Sequence, residues 1–266
     1  MKQYGLIGYP LSHSFSKKFF TEKFERENIE DHEYNLYELD NLSDFPELLQ
    51  ANPGLCGLNV TVPHKIGVMY YLDDIQADAK EIGAVNCIRI TPESPIAAVF
   101  SGEVGIENKE YRLEGFNTDA YGFEMSLKPL LQPHHVRALI LGTGGASRAV
   151  KHVLSKLNIY SRLVSRESNV DRLTYNDLTP EIISQYQLII NTTILGMAPN
   201  TDKCPDIPYE AIAEGHILYD LIYNPEETLF LQKGREQGAV TKNGTEMLVL
   251  QAEKSWEIWN HRDKTP

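Results

Sequence analysis

The chain has little cysteine, only two tryptophans, fewer basic than acidic residues and no long apolar run. Its three cysteines, Cys56, Cys87 and Cys204, are widely spaced and odd in number. Neither a disulfide framework nor a metal site is expected from them, and a reducing, cytoplasmic setting fits. Lysine and arginine number 25 against 37 acidic residues, a formal charge of -12 at pH 7. That balance argues against a nucleic acid or an anionic membrane as partner, because either repels the molecule as a whole. It leaves room for a local basic pocket that attracts a small anionic substrate. Nowhere do roughly 18 apolar residues run together as a membrane span requires. Met1–Pro10 also lacks the basic start and apolar run of a secretory signal.

What is present is the pattern of a globular α/β protein. The 266 residues suffice for one large domain or two modest ones. In the first half, apolar runs at Tyr4–Gly8, Glu33–Leu39 and Leu55–Thr61 read as strands, with a helix near Phe15–Glu27. Strands separated by helices suggest βαβ units and a mainly parallel sheet. Val85–Ile90, Ala97–Phe100 and Arg112–Phe116 read as hairpin strands, with a turn at Thr91–Ser94. Asp119–Leu131 has a helical pattern, and Val136–Leu141 opens a second α/β unit. Further strands are expected at Ser161–Ser165, Leu188–Asn191, Ile217–Leu221 and Ala239–Thr241. A last helix is expected over Thr245–Asn260, with Leu248, Ala252, Trp256 and Trp259 on one face. The expected architecture is two α/β domains with a cleft between them. Residues 1–118 plus 245–266 form an N-terminal domain, and 119–244 a Rossmann-like dinucleotide-binding domain.

The strand Val136–Leu141 runs into Gly142-Thr143-Gly144-Gly145-Ala146-Ser147-Arg148 and then a helix to about Leu157. Strand, glycine turn and helix make the context of a dinucleotide fingerprint, in which glycine lets backbone approach a pyrophosphate at a helix N-terminus. Ser147 stands where a third glycine or alanine is usual. At the end of the next strand, Val164-Ser165-Arg166-Glu167 offers an arginine where an acidic residue would select NAD. A guanidinium pairs with a 2′-phosphate, which favours NADP, and Glu167 opposes it.

Four polar clusters in the first half also sit at element ends: Ser12-His13-Ser14-Phe15-Ser16, Asn59-Val60-Thr61-Val62-Pro63-His64-Lys65, Ala84-Val85-Asn86-Cys87 and Gly115-Phe116-Asn117-Thr118-Asp119. Each alone reads as a helix cap or turn. Together they place hydroxyls, amides, an amine and a carboxylate at the sheet edge where open α/β folds bind ligands.

With G-T-G-G-A-S-R at 142–148, N-T-T-I-L-G-M at 191–197, Y-D-L-I-Y-N-P at 219–225 and M-L-V-L-Q-A at 247–252, these clusters resemble the shikimate dehydrogenase family in order and across nearly the whole chain. The resemblance implies reversible NADPH-dependent reduction of 3-dehydroshikimate to shikimate in aromatic amino-acid biosynthesis, by a monomer or homodimer. It assigns Ser14 and Ser16 to the substrate carboxylate, with Tyr223 near it. Asn59, Thr61, Asn86, Asp119 and Gln251 go to the ring hydroxyls, and Lys65 with Asp119 form the catalytic pair. It places Gly144, Gly145, Ala146 and Ser147 of the turn opened by Gly142 at the pyrophosphate. Ser165 and Arg166 go to the 2′-phosphate, and Thr193, Leu221, Gly244 and Met247 lie along the path to the nicotinamide. A lysine in water titrates at ~10.4 and a nearby carboxylate favours its charged form. Lys65 is therefore cast as a cationic proton donor rather than a ready base, and His13 and His64 as structural.

The chain departs from the family pattern in three places. Glu167 and Val170 stand where the family has threonine and a second basic residue, implying a relaxed NADP preference. Asn243-Gly244-Thr245-Glu246 replaces Asp-Gly-x-Gly, and the segment from Thr91 to Glu110 is long. Two other readings stand beside this one: an NAD-linked quinate/shikimate dehydrogenase, and a non-catalytic nucleotide-responsive binding protein.

Overall fold

A computed structural model describes residues 1–11, 14–92, 111–167 and 170–261. The chain divides into two compact units, Met1–Thr118 with Ala252–Pro266, and Asp119–Gln251. Among the described residues no helix is long and apolar enough to cross a membrane.

The first unit contains β1 (Lys2–Gly8), α1 (Phe15–Arg26), β2 (His32–Glu38), α2 (Phe45–Ala51), β3 (Leu55–Val60), β4 (Asp74–Ile75), α3 (Ala77–Ile82), β5 (Cys87–Pro92) and β6 (Tyr111–Phe116). Its sheet runs β2-β1-β3-β5-β6-β4. The three strands β1, β2 and β3 are parallel, whereas β5 is antiparallel to both β3 and β6. Of the turn expected at Thr91–Ser94, the last two residues lie outside the described residues, and Thr91 and Pro92 instead continue β5, opposite Arg112 and Tyr111. Proline is tolerated there because β3 pairs with β5 only as far as Arg89, so the proline's missing N–H faces no ladder on that side. The expected strand at Ala97–Phe100 lies outside the described residues.

Trp259 packs across this sheet and donates its indole N–H to the Ile88 carbonyl at 2.9 Å. A Cβ on Gly57 would stand 2.3 Å from the indole, so glycine is what lets the ring lie on the strand. Lys23, buried on α1, bonds Glu27 at 2.9 Å and Glu253 at 2.7 Å, fastening the C-terminal helix to α1.

The second unit holds most of α4 (Thr118–Leu127), then β7 (Arg137–Leu141), α5 (Gly145–Lys156), β8 (Tyr160–Ser165), β9 (Arg172–Thr174), α6 (Pro180–Ile183), β10 (Leu188–Asn191), β11 (Ile217–Asp220), α7 (Leu229–Glu236), β12 (Val240–Lys242) and the first part of α8 (Thr245–Asn260). The helix expected to reach Leu131 gives way at Lys128 to a tighter turn over Lys128–Leu130, with Pro129 in it. All six strands are parallel, in the order β12-β11-β10-β7-β8-β9. Read in chain order this is 3-2-1-4-5-6, the doubly wound arrangement whose topological switch point falls between its first and fourth strands, here β7 and β10. The core is the run of fully buried residues on the inner strands, including Leu139, Leu141, Ile189 and Leu218, under Phe230 and Leu231 of α7.

Candidate active site

At the switch point, the C-terminal ends of β7 and β10 open a pocket of about 560 Å³ lined by Gly142, Gly144, Thr193 and Leu195. Gly142 has φ +111°, and a Cβ there would meet the Thr192 hydroxyl at 2.8 Å, so the sharp exit from β7 requires glycine. Gly144 caps α5 in extended geometry, and no side chain caps the helix. A Cβ on Gly144 or Gly145 would meet nothing within 4 Å. These two residues face open space at the positive end of a helix, the cradle that a pyrophosphate needs. Ser147 does not present its hydroxyl to that space. It is 2% exposed and donates to the Gly144 carbonyl at 2.6 Å, bracing the turn from beneath. Gly144→Ala therefore leaves folding stability within about 1 kcal/mol, since φ is -75° and no neighbour is crowded. It nevertheless weakens NADP binding at least about tenfold by filling the cradle; melting and titration calorimetry together check this.

The outer end of the pocket is lined by Ser165, Arg166, Glu167, Arg172 and Tyr175. Only residues 166–171 join β8 to β9, yet the two strands are parallel, with Leu163 opposite Arg172. So short a link leaves no room for a full crossover helix. β9 consequently lies beside the last residues of β8, which brings Arg172 into the same pocket as Arg166. Among the described residues neither guanidinium is held by an ion pair. Arg166 is close enough to Tyr175 to offset part of the upward push that burial gives its phenol. The expected weakness of the second cation at Val170 is thus only half the picture: Val170 is 95% exposed and Arg172 lines the pocket.

Further along the sheet edge, a Cβ on Gly244 would stand 2.1 Å from the Leu221 carbonyl oxygen, so these two chain segments meet backbone to backbone. Met247 is buried near the start of α8, and a Cβ on Gly122 would stand 2.5 Å from its carbonyl oxygen.

In the first unit the polar residues gather at the C-terminal ends of β1 and β3. Thr61 is held on both sides: its N–H donates to the Ile7 carbonyl, and its methyl lies where a Cβ of Gly8 would be. Lys65 follows on a turn that is also pinned twice. The neighbouring His64 ring is buried against the Leu39 carbonyl, and the Lys65 carbonyl accepts from Val85 N–H at 2.8 Å. His64 is therefore structural, and His13 lies outside the described residues. Ser14 caps α1, accepting from the Lys17 N–H at 3.3 Å, and Ser16 sits two residues on in its first turn.

Beneath these residues runs a buried hydrogen-bond network. Complete burial pushes the Tyr34 phenol well above its ordinary value, and the nearby Ser16 hydroxyl offsets part of that push. Tyr34 donates to Asn59 Oδ1 at 2.9 Å, and Asn59 Nδ2 donates to Ser255 Oγ at 2.9 Å and the Asn86 carbonyl at 3.3 Å. Ser255 contacts the Thr118 hydroxyl at 3.2 Å, and Thr118 N–H donates to Asn86 Oδ1 at 2.6 Å. Asn59 and Asn86 are 4% and 3% exposed, so in this conformation their amides hold strand ends in place rather than point outward. Thr118, the first residue of α4, is fixed by this network and is followed directly by Asp119 in the helix's first turn. Sequence reading missed Tyr34, Thr118 and Ser255 in this role; Ser255 lies 196 positions from Asn59 and no local pattern joins them. In the second unit Tyr223 is 38% exposed, and Gln251, largely buried, donates to the Leu248 carbonyl at 2.9 Å.

A doubly wound parallel sheet with a glycine-lined helix N-terminus and paired arginines at its switch point defines a dinucleotide-binding protein of Rossmann type. Comparison with known proteins narrows the class. The family described as the shikimate dehydrogenase substrate binding domain matches residues 6–88. A shikimate dehydrogenase (NADP(+)) of Methanococcus aeolicus is 35% identical, over 97% of this chain and 91% of its own. Among solved structures, a chorismate mutase/shikimate 5-dehydrogenase fusion protein from Clostridium acetobutylicum is 34% identical with a TM-score of 0.78, covering 98% of this chain and 91% of that one. The shikimate 5-dehydrogenase of Thermus thermophilus, in complex with NADP(H) and shikimate, is 27% identical with a TM-score of 0.79, covering 98% and 94%. The chain belongs to the shikimate dehydrogenase family.

Proposed function

We propose that the chain is an NADP-dependent oxidoreductase that reversibly reduces 3-dehydroshikimate to shikimate. The observation that carries the reading is the switch-point pocket, with an open glycine cradle at one end and two arginines at the other. Its residues fit NADP: Gly144, Gly145 and the N–H groups of α5 hold the pyrophosphate, and Arg166 with Arg172 hold the 2′-phosphate against Glu167. Thr193, Leu221, Gly244 and Met247 border the remainder.

NADPH held by these residues would supply the hydride that reduces the substrate's ketone carbon. As charge gathers on the ketone oxygen, the Lys65 ammonium stabilises it and delivers a proton. Asp119 accepts a hydrogen bond from a neighbouring ring hydroxyl and orients the ring for that transfer. Ser14 and Ser16 hold the substrate carboxylate, with Thr61, Tyr223 and Gln251 completing the contacts. Asn59 and Asn86 act from behind, through Thr118. The pinned turn around Lys65 serves this chemistry, because a proton donor must be held within a fraction of an ångström of its acceptor. A cytoplasmic location accords with three cysteines that form no disulfide.

Initial rates with shikimate and quinate, each with NADP and NAD, test the reading. Shikimate with NADP is the fastest pair. A preference for quinate with NAD would assign the chain to the catabolic type, with Glu167 governing the nucleotide end.

A further inference from the structure

Asp220 is a fully buried carboxylate that the mechanism above does not use. It ends β11, in register with Asn191 at the end of β10, on the same sheet edge as the nucleotide pocket. Its Oδ1 accepts from Asn191 Nδ2 at 3.1 Å and from the Ile222 N–H at 3.0 Å. Its Oδ2 accepts from the Thr228 hydroxyl at 2.6 Å, and Thr228 in turn caps α7. Asn191 turns its remaining hydrogen bonds to the pocket wall. Its Oδ1 accepts from the Thr193 N–H at 3.0 Å and the Thr193 hydroxyl at 2.7 Å, and its Nδ2 donates to the Leu195 carbonyl at 3.4 Å. The Thr193 hydroxyl also accepts from the Leu195 N–H at 3.1 Å.

We propose that Asp220 is a positioning residue for the cofactor pocket, acting by fixing which way round the Asn191 amide sits. An ionised carboxylate only accepts hydrogen bonds, so it can face only the NH₂ end of that amide. The carbonyl end is then left to both donors of Thr193. A reversed amide would set donor against donor at Thr193 and acceptor against acceptor at Asp220, and the 193–195 turn would lose its hold on the pocket. The inference rests on the cofactor reading above, since it concerns the wall of that site.

The same arrangement carries a pH dependence. Burial pushes the Asp220 carboxyl up to about 6, against the three hydrogen bonds that lower it. Tyr209 also faces it, with Cys204 beside that phenol, which burial keeps neutral in this range. Because the folded-state value is raised, the folded protein holds a proton that the unfolded chain releases between the ordinary 3.8 and about 6. Stability therefore falls as pH rises through that window and is level above it. The pocket has the opposite need, because a protonated Asp220 accepts fewer bonds and loosens Asn191.

The test is calorimetric titration of folded protein with NADP, for the unmodified chain and for Asp220→Ala, Asn191→Ala and Asp220→Asn, with melting temperatures beside it. Asp220→Ala and Asn191→Ala weaken NADP about tenfold. Asp220→Asn, which like the protonated carboxyl keeps one acceptor and presents a donor in place of the other, already shows at neutral pH the weakened binding that the unmodified chain shows at low pH. The unmodified protein loses further affinity as pH falls below about 6, and Asp220→Asn lacks that extra loss with the same ligand. Unchanged affinity in folded Asp220→Ala and Asn191→Ala, whatever their melting temperatures, overturns the inference alone. An unmodified chain that binds neither NADP nor NAD removes the cofactor reading, and the inference with it.

Discussion

Lys65→Ala lowers kcat for shikimate oxidation by about 10²–10⁴-fold, the range for loss of a positioned acid–base group, and leaves NADP affinity within about twofold. The two halves of this expectation come from different parts of the molecule. Lys65 stands on a turn of the first unit held by His64 at Leu39 and by its own carbonyl at Val85. The pocket residues proposed to cradle the nucleotide, from Gly142 to Thr193, all belong to the second unit. Removing the amine therefore removes proton delivery and charge stabilisation without touching the cradle. Lys65→Arg separates those two contributions. A guanidinium keeps the positive charge but does not release its proton, so this variant also stays far below the unmodified rate. Stopped-flow single turnovers check that the chemical step is what slows. A near-normal single-turnover rate in folded Lys65→Ala would remove Lys65 from the chemistry.

Arg166 and Arg172 set the second large effect. Each Arg→Gln substitution weakens binding of 2′,5′-ADP about tenfold and the pair together about a hundredfold, as expected for losing one and two charge-assisted hydrogen-bond partners. Binding of 5′-AMP, which lacks the 2′-phosphate, changes less than about threefold. Glu167→Gln moves the other way and tightens 2′,5′-ADP, because it removes a carboxylate that lines this end of the pocket. The difference between the two ligands shrinks as salt rises, since this end of the pocket is open to water. Fluorescence or calorimetric titration gives each of these constants. Equal losses for both ligands in Arg172→Gln would mean that Arg172 supports the adenine or the loop and not the phosphate.

The sequence announces some of this architecture and conceals the rest for identifiable reasons. Thr245–Asn260 is legible to the residue because sixteen positions carry a consistent apolar face. Pro180–Ile183, of four residues, is too short to show a period, and Phe45–Ala51 and Leu229–Glu236 are little longer. The glycine turn at 142–147 is legible because strand, turn and helix are contiguous. Arg172 is hidden because it reaches the pocket by a short return of the chain into β9, not by the spacing that a helix would impose. Asn59 and Asn86 are legible as polar residues at element ends. That their amides are engaged with each other's strands and with Ser255 and Thr118 depends on contacts remote in sequence.

The most direct test of the central claim is a time course of 3-dehydroshikimate and NADPH with the folded protein, following NADPH absorbance and shikimate formation together. The account predicts one shikimate formed for each NADPH consumed, at a rate that collapses in Lys65→Ala. Folded protein that binds NADPH but consumes none in the presence of 3-dehydroshikimate would contradict it, and would leave a nucleotide-binding protein without this catalysis.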